Sequence, residues 1–182
     1  LEFISNSINE VIGSYSSFVD IFSGTGVVGN YFNNTNIKVI SNDLLYSNYI
    51  TNYAFLSHES FNYNKIDCCI NEFNNIKGKE NYFSKHFGDK FFSKDTAKKI
   101  GTIRENIEKL YKKNEINFRE RAILITSLIY ASDKIANTCG HYDAYRENID
   151  LKDDIFLKHL DIFHDKNSNN EIYNTDSNIL FE

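Results

Sequence analysis

The 182-residue sequence contains no methionine, no proline and no tryptophan, and it has only three cysteines. Because methionine is missing, the sequence has no initiator residue, and we expect it to be an excised or processed piece of a longer protein. The missing proline excludes every catalytic motif that is built on that residue. It also leaves the turns to Gly, Asn, Asp and Ser.

The cysteines and the apolar runs each exclude a class of protein. Cys68, Cys69 and Cys139 form no C-x-x-C pair, so the sequence predicts neither a disulfide framework nor a zinc site, and we expect no bound metal. No apolar run reaches the roughly 18 residues of a transmembrane helix, and the N-terminus lacks the basic start of a signal peptide. The sequence therefore predicts a reduced, cytoplasmic protein with no membrane partner.

Positive charge is scarce overall but concentrated in one segment. The chain has a net charge of −5, whereas residues 77–121 hold 13 basic and 7 acidic residues, a local net charge of +6. The aromatic residues interleaved with this charge are Tyr82, Phe83, Phe87, Phe91 and Phe92. The pattern is typical of a surface that meets phosphates and bases, and equally of a solvated helix face beside core aromatics.

The two ends of the sequence predict strands, and its middle predicts helices. The predicted elements at the ends are a helix over 2–14, a strand over 17–22, a glycine turn over 23–26, a helix over 27–32, a strand over 38–43, a helix over 44–56, a polar loop over 165–170 and a strand over 171–176. Strand, glycine turn, helix, strand and acid in this order are typical of half a Rossmann-type α/β unit.

Between residues 62 and 148 the sequence indicates no strand. Ser93 can cap a helix that runs to about Lys113, and a second helix is predicted from Phe118 to about Asn137. We therefore predict an α/β core made of 1–61 and 166–182, with residues 62–165 as a large helical insertion.

The glycine turn and the acid after the second strand predict a cofactor. Gly24, Gly26 and Gly29 match the G-x-G-x-x-G spacing of NAD-binding loops, and no Gly-Lys-Ser/Thr follows, which excludes a P-loop. Asp20 before the loop would repel a pyrophosphate but suits a cationic amino-acid moiety, as in S-adenosylmethionine. Asp43, 17 residues after Gly26, can accept ribose hydroxyls or cap the next helix. Together they favour a nucleoside-containing cofactor.

Four stretches resemble a known family. Residues 18–26, FVDIFSGTG, resemble motif I of adenine-N6 DNA methyltransferases, with its F-x-G-x-G core. Residues 129–145 resemble a segment of the D12-class, alpha-group bacterial enzymes of restriction–modification systems, and 82–84 and 100–104 are also similar to that group. The resemblance implies an α/β fold, a partial Rossmann-like S-adenosylmethionine-dependent methyltransferase sheet, with the helical insertion as target-recognition region.

The resemblance also implies the site residues. The expected cofactor-binding residues are Asp20, Phe22, Ser23, Gly24, Thr25, Gly26, Asp43 and Asp176. Asp43 would hold the ribose hydroxyls, and Asp176 would lie at the adenine amino group. The expected DNA-contacting residues are Lys94, Lys98, Lys99, Arg104, Asn137, Thr138, His141, Tyr142 and Tyr145. Double-stranded DNA and a cognate restriction endonuclease are the expected partners.

One departure from the family pattern is decisive. Family members carry an Asp/Asn/Ser-Pro-Pro-Tyr/Phe motif on the fourth strand, and a chain without proline lacks it. We expect that motif to lie beyond Glu182, so the sequence predicts no catalytic residue here, weak S-adenosylmethionine binding and no methylation by this chain alone. Three alternatives stay open: an NAD-dependent oxidoreductase, a non-catalytic DNA-binding module on this scaffold, and a methyltransferase acting on RNA.

Overall fold

The structure, a computed structural model, describes residues 1–33, 37–139, 143–147, 150–151, 154–162 and 169–180, which divide into two compact units. The first unit, 1–60 with 161–182, contains α1 (Glu2–Ile12), β1 (Ser17–Asp20), α2 (Val27–Phe32), β2 (Lys38–Asn42), α3 (Tyr46–Leu56) and β3 (Glu171–Tyr173). The second unit, 61–160, contains α4 (Tyr63–Asn75), α5 (Tyr82–Phe87), α6 (Lys94–Lys112) and α7 (Phe118–Ile135). None of the helices in these described ranges is long and apolar enough to cross a membrane.

The first unit is built on a parallel sheet of three strands in the order β1-β2-β3. Val19 pairs with Ile40, and Ile40 in turn pairs with Glu171. This confirms the three predicted strands, although each ends earlier than its apolar pattern indicated. Because all three strands are parallel, their carboxyl ends lie at one edge, and the segments that follow them meet there.

A small apolar core holds α2 and α3 against the sheet. Phe32, Val39 and Leu56 are buried, and the ring of Phe18 stacks on that of Phe32 with centroids 4.2 Å apart. A methyl group on Gly29 would lie 3.2 Å from Leu56 Cδ1 and 3.4 Å from Val39 Cγ1. The glycine therefore allows α2 to approach the sheet closely.

Asn170, expected at the end of a solvated polar loop, is instead a buried structural residue. Its side chain is 3% exposed, donates to Asn33 Oδ1 and to the Leu56 carbonyl, and accepts from Val39 N–H at 2.9 Å. It thus satisfies one backbone group of β2 and one at the end of α3, which anchors the returning chain beside β2. Residues 165–168 of the predicted loop lie outside the described residues.

Both long predicted helices of the second unit are present. The side chains of Ser93 and Asn117 cap α6 and α7 by accepting from Thr96 N–H and Glu120 N–H. The apolar pattern of α7 ran to Asn137, but the helix ends at Ile135 because the Asn137 N–H donates to the Phe91 carbonyl. For α4 and α5 the sequence predicted no bounds.

The aromatic residues of the basic segment divide between core and surface. Phe91 and Phe92 are buried, and Phe83 and Phe87 pack with them at centroid distances of 4.6–5.9 Å. Tyr82 is 71% exposed and packs against His86. The interpretation as core aromatics therefore holds for Phe91 and Phe92, whereas Phe83 and Phe87 are half-buried and the tyrosine is exposed.

A buried carboxylate joins α4 to α7. Glu120 is 2% exposed, and its oxygens accept from Asn62 N–H, Asn117 N–H and Lys65 Nζ, each at 2.9 Å. Burial tends to raise the pKa of this carboxyl, but the three hydrogen bonds outweigh it and hold the pKa below its ordinary value. The ionised form therefore stabilises the fold.

We expect Glu120→Gln to lower the free energy of unfolding by about 2 kcal/mol at pH 7, because a neutral amide cannot accept from three donors. A carboxyl with a lowered pKa contributes stability above its ordinary pKa and loses it as the pH falls through the lowered value. The difference between parent and variant should therefore shrink in acid. Urea unfolding at pH 7 and pH 3.5 measures both effects.

Glu115→Gln is the matched control, since Glu115 is exposed and its ion pair with Lys113 spans 3.5 Å. It should change the unfolding free energy by less than about 0.5 kcal/mol. Equal losses in the two variants would contradict a special role for Glu120.

Candidate functional site

The glycine turn after β1 is fastened to the end of β2. The backbone N–H and the hydroxyl of Ser23 both donate to the Asn42 carbonyl at 3.0 Å. Gly24 and Gly26 have φ values of +52° and +77°, which L side chains rarely adopt. The loop formed by residues 21–26 therefore has its path set by hydrogen bonds and by two glycines.

The Asp43 carboxylate contacts this loop directly. Its Oδ2 accepts from the Gly24 N–H at 2.8 Å, and its Oδ1 accepts from the Leu45 N–H at 2.9 Å. The second bond forms an Asx turn that delays α3 until Tyr46, so the predicted helix start at Leu44 was wrong, and Asp43 is not the N-cap. A carboxylate accepts about four hydrogen bonds, which leaves capacity for further donors.

Asn42, the last residue of β2, joins the segments that follow β1 and β3. Its backbone carbonyl holds Ser23, while its side-chain amide donates to the Ile21 and Thr175 carbonyls and accepts from the Thr175 N–H. Ser41 and Asn42 are fully buried polar residues. Sequence reasoning missed both, although polar side chains in a strand expected to be buried are a signal that such side chains bond neighbouring backbone.

Asn52 of α3, another residue that sequence reasoning missed, lies against the same loop. It is 1% exposed, and its Nδ2 donates to the Gly24 carbonyl at 2.9 Å. A Cβ at Gly26 would lie 2.5 Å from Asn52 Oδ1. Nothing in the helical pattern of α3 distinguishes this position from an ordinary core residue.

Asp20 is a half-buried carboxyl at the carboxyl end of β1. Burial raises its pKa, a hydrogen bond from the Phe22 N–H partly offsets this, and the negative charge of Asp43 raises the pKa further. The side chain of Phe22 is 73% exposed, and Thr25 is also exposed. The edge therefore combines an electrostatically disfavoured carboxylate with an exposed aromatic ring.

Asp176 follows β3 at the same edge and is exposed. Its Oδ1 accepts from the backbone N–H and the side-chain amide of Asn178 at 2.8 and 2.9 Å. This closes a turn and fixes the carboxylate without burying it. The expected cofactor-binding residues thus lie at the carboxyl ends of the three strands: Asp20 ends β1, and the others belong to the segments that follow the strands.

The expected DNA-contacting residues of α6 differ in exposure. Lys94 and Arg104 are exposed, and the Lys98 ammonium lies 3.0 Å from Asp95 Oδ1. Lys99 is only 8% exposed, and its ammonium lies 3.0 Å from Asp154 Oδ2. Its ion pair links α6 to the segment after α7, so Lys99 has the least surface for another partner.

The residues expected near the end of α7 also differ. Asn137 is 9% exposed, and its amide bonds the Lys90 carbonyl and both backbone polar groups of Arg146. Thr138 is partly exposed, and the Tyr145 ring, 41% exposed, packs edge-on against Phe91. Asn137 and Thr138 line a cavity of about 240 Å³ within the helical unit. His141 and Tyr142 lie outside the described residues.

Comparison with known proteins decides the family. The family model for the D12 class N6 adenine-specific DNA methyltransferases matches residues 1–182. The chain belongs to this family. Its membership confirms the resemblance seen in residues 18–26 and 129–145, and it favours the methyltransferase interpretation of the glycine loop over the NAD-dependent one.

Three curated proteins illustrate the similarity. The modification methylase StsI of Streptococcus sanguinis is 30% identical over 93% of this chain and 28% of its own length. The type II methyltransferase M.NlaIII of Neisseria lactamica is 28% identical over 98% of this chain and 56% of its own length. The type II methyltransferase M.FokI of Planomicrobium okeanokoites is 31% identical over 91% of this chain and 28% of its own length. The chain therefore spans between about a quarter and just over half of these relatives. No solved structure matches the chain.

The two positive-φ glycines of the loop form a matched pair. A Cβ at Gly24 meets nothing within 4 Å, whereas one at Gly26 would collide with Asn52. Gly24→Ala should cost about 1 kcal/mol of unfolding free energy from backbone strain alone, and Gly26→Ala at least about 1 kcal/mol more. Urea unfolding of both variants measures the difference, and equal costs would contradict the close packing of Asn52 on the loop.

Proposed function

We propose that the first unit is the cofactor-binding part of an adenine-N6 DNA methyltransferase, with a Rossmann-like sheet that binds S-adenosylmethionine at its carboxyl edge. The observation that carries this proposal is the 2.8 Å hydrogen bond from Gly24 N–H to Asp43, which brings the glycine loop and the strand-end acid together. In open α/β sheets, ligands bind outside the carboxyl ends of the strands.

The residues at this edge fit the groups of S-adenosylmethionine. Asp20 would bind the methionine ammonium, because a half-buried carboxylate next to Asp43 is stabilised by a cation. Asp43, which keeps acceptor capacity after its two backbone bonds, would accept the ribose hydroxyls. Asp176 would accept from the adenine amino group, and the exposed ring of Phe22 offers an apolar contact.

The bound cofactor would supply a methyl group made electrophilic by its sulfonium. The chain's own residues would bind and orient it: the glycine loop brings backbone close to the ligand, Asp20 and Asp43 hold its methionine and ribose parts, and Asp176 holds its adenine end. These 182 residues contain no proline, so they contain no Asp/Asn/Ser-Pro-Pro-Tyr/Phe motif, and we assign no catalytic residue among them. Their contribution to rate is positioning.

We further propose that the helical unit contacts double-stranded DNA, from which the target adenine is flipped before transfer. Three lysines support this, because they all lower the pKa of the exposed Asp95 carboxyl. Lys98 has the largest effect, through a hydrogen bond and its charge, and Lys94 and Lys77 act through their charges. The cluster is net positive, as a phosphate-binding surface requires. Relatives such as StsI are modification methylases, and a cognate restriction endonuclease is the partner we propose for the whole protein.

Asp20→Asn should affect stability and binding in opposite directions. It removes a carboxylate that burial and Asp43 disfavour, so the melting temperature at pH 7 should stay the same or rise. A raised pKa means that the ionised carboxyl opposes folding above that pKa, so the gain should vanish as the pH falls through it. Affinity for S-adenosylhomocysteine, measured by calorimetry, should fall at least tenfold.

Glu10→Gln serves as a control, since Glu10 is an exposed acid on α1 of the same unit. It should leave affinity within twofold of the parent. If Asp20→Asn binds as tightly as the parent, Asp20 does not contact the ligand. If the parent binds duplex DNA but neither S-adenosylhomocysteine nor NADH, the non-catalytic DNA-binding alternative replaces this proposal.

Lys94→Gln should weaken duplex binding equally for all sequences and lower the slope of log affinity against log salt by about 1. Lys112→Gln is the matched control, because this exposed lysine lies about 27 Å further along the same helix. Fluorescence anisotropy between 50 and 300 mM salt gives both slopes. An unchanged slope for Lys94→Gln would remove α6 from the interface.

A further inference from the structure

We infer that Asn52 is a positioning residue for the cofactor loop, acting on the ligand through Gly24 and Asp43. The inference rests on the proposed function, because it assigns this residue to the same site. Asn52 belongs neither to the glycine motif nor to the acids that follow the strands. Asn52 comes from α3, a helix to which the sequence assigned no site residue.

Gly24 is held at both of its backbone polar atoms. Its N–H donates to Asp43 Oδ2 at 2.8 Å, and its carbonyl accepts from Asn52 Nδ2 at 2.9 Å. Two side chains from different places in the chain therefore fix one residue of the loop. Without the Asn52 bond, the Gly24 carbonyl loses a partner, and glycine is the residue that recovers most conformational freedom on release.

The Asn52 amide has a fixed orientation. The Ser41 hydroxyl donates to Asn52 Oδ1 at 2.7 Å, which leaves Nδ2 as the donor toward the loop. Nδ2 also donates to the Asn48 carbonyl of its own helix at 2.8 Å. With a side chain 1% exposed and bonded at both ends, the donor is preorganised and does not have to be ordered when a ligand binds.

Asn52 also restricts the loop sterically. A Cβ at Gly26 would approach Asn52 Oδ1 to 2.5 Å, so the loop lies directly on this amide. Asn52 thus limits the loop from one side while Asp43 bonds it from the other. Displacement of the loop would break the hydrogen bond from the Gly24 N–H to the Asp43 carboxylate. Asp43, the acceptor proposed for the ribose, would then lose one of the two bonds that orient it.

Asn52→Asp tests the role, because it keeps the size of the side chain and its acceptor for Ser41 but removes the donor to Gly24. Thr51→Ala is the matched control: Thr51 is buried on the same helix, 3% exposed, and its hydroxyl donates to the Ser47 carbonyl of α3. Both variants should lower the melting temperature. We would measure amide exchange of residues 23–26 without ligand, and the dissociation constant of S-adenosylhomocysteine by calorimetry.

In Asn52→Asp we expect the loop amides to exchange at least tenfold faster than in the parent, and S-adenosylhomocysteine to bind at least tenfold more weakly. In Thr51→Ala, the exchange rates and the dissociation constant should stay within twofold of the parent. Loop exchange that is the same in the two variants, or unchanged affinity in Asn52→Asp where the parent binds, would overturn the inference. If the parent itself does not bind the ligand, the proposed function fails. The exchange result then still decides whether Asn52 positions the loop.

Discussion

The hydrogen-bonding capacity of the last residues of β2 is the constraint on which the first unit depends. Three segments leave the sheet at its carboxyl edge, and each carries backbone groups that no strand satisfies. Asn42 supplies bonds to the segments after β1 and β3, and Asp43 supplies one to Gly24 and one to Leu45. A parallel sheet of three short strands has few ladder bonds, so these side chains set the shape of the edge as much as the sheet does.

The same edge concentrates negative charge, which opposes folding but suits a cationic ligand. Asp20 and Asp43 are close enough for the charge of Asp43 to raise the pKa of Asp20. Stability alone would favour an amide or an apolar residue at position 20. At this position the surrounding protein disfavours the negative charge of the carboxylate. Such a carboxylate is typical of a ligand-binding group, because a bound cation would compensate that charge.

The sequence was sufficient to predict elements whose pattern is local. Ser93 marks the start of α6, apolar residues recur at helical spacing along α6 and α7, and the glycine turn after a short apolar run marks β1 and α2. These elements were therefore found with errors of a few residues. Residues that act across the sequence were not found. Asn170 bonds residues more than 110 positions away, and no periodicity in its own segment indicates that. Asn52 and Glu120 were missed for the same reason.

The distribution of charge explains why a net charge of −5 does not argue against a DNA substrate. A sulfonium cofactor with an ammonium group and a polyanionic duplex require opposite local potentials, and with a Debye length near 8 Å at physiological salt, each site responds mainly to its own neighbours. The acids Asp20, Asp43 and Asp176 belong to the first unit, and the basic excess of residues 77–121 belongs to the second. Dividing the two proposed binding tasks between two compact units would let one chain carry both potentials. The average over the whole sequence therefore says little about what either unit binds.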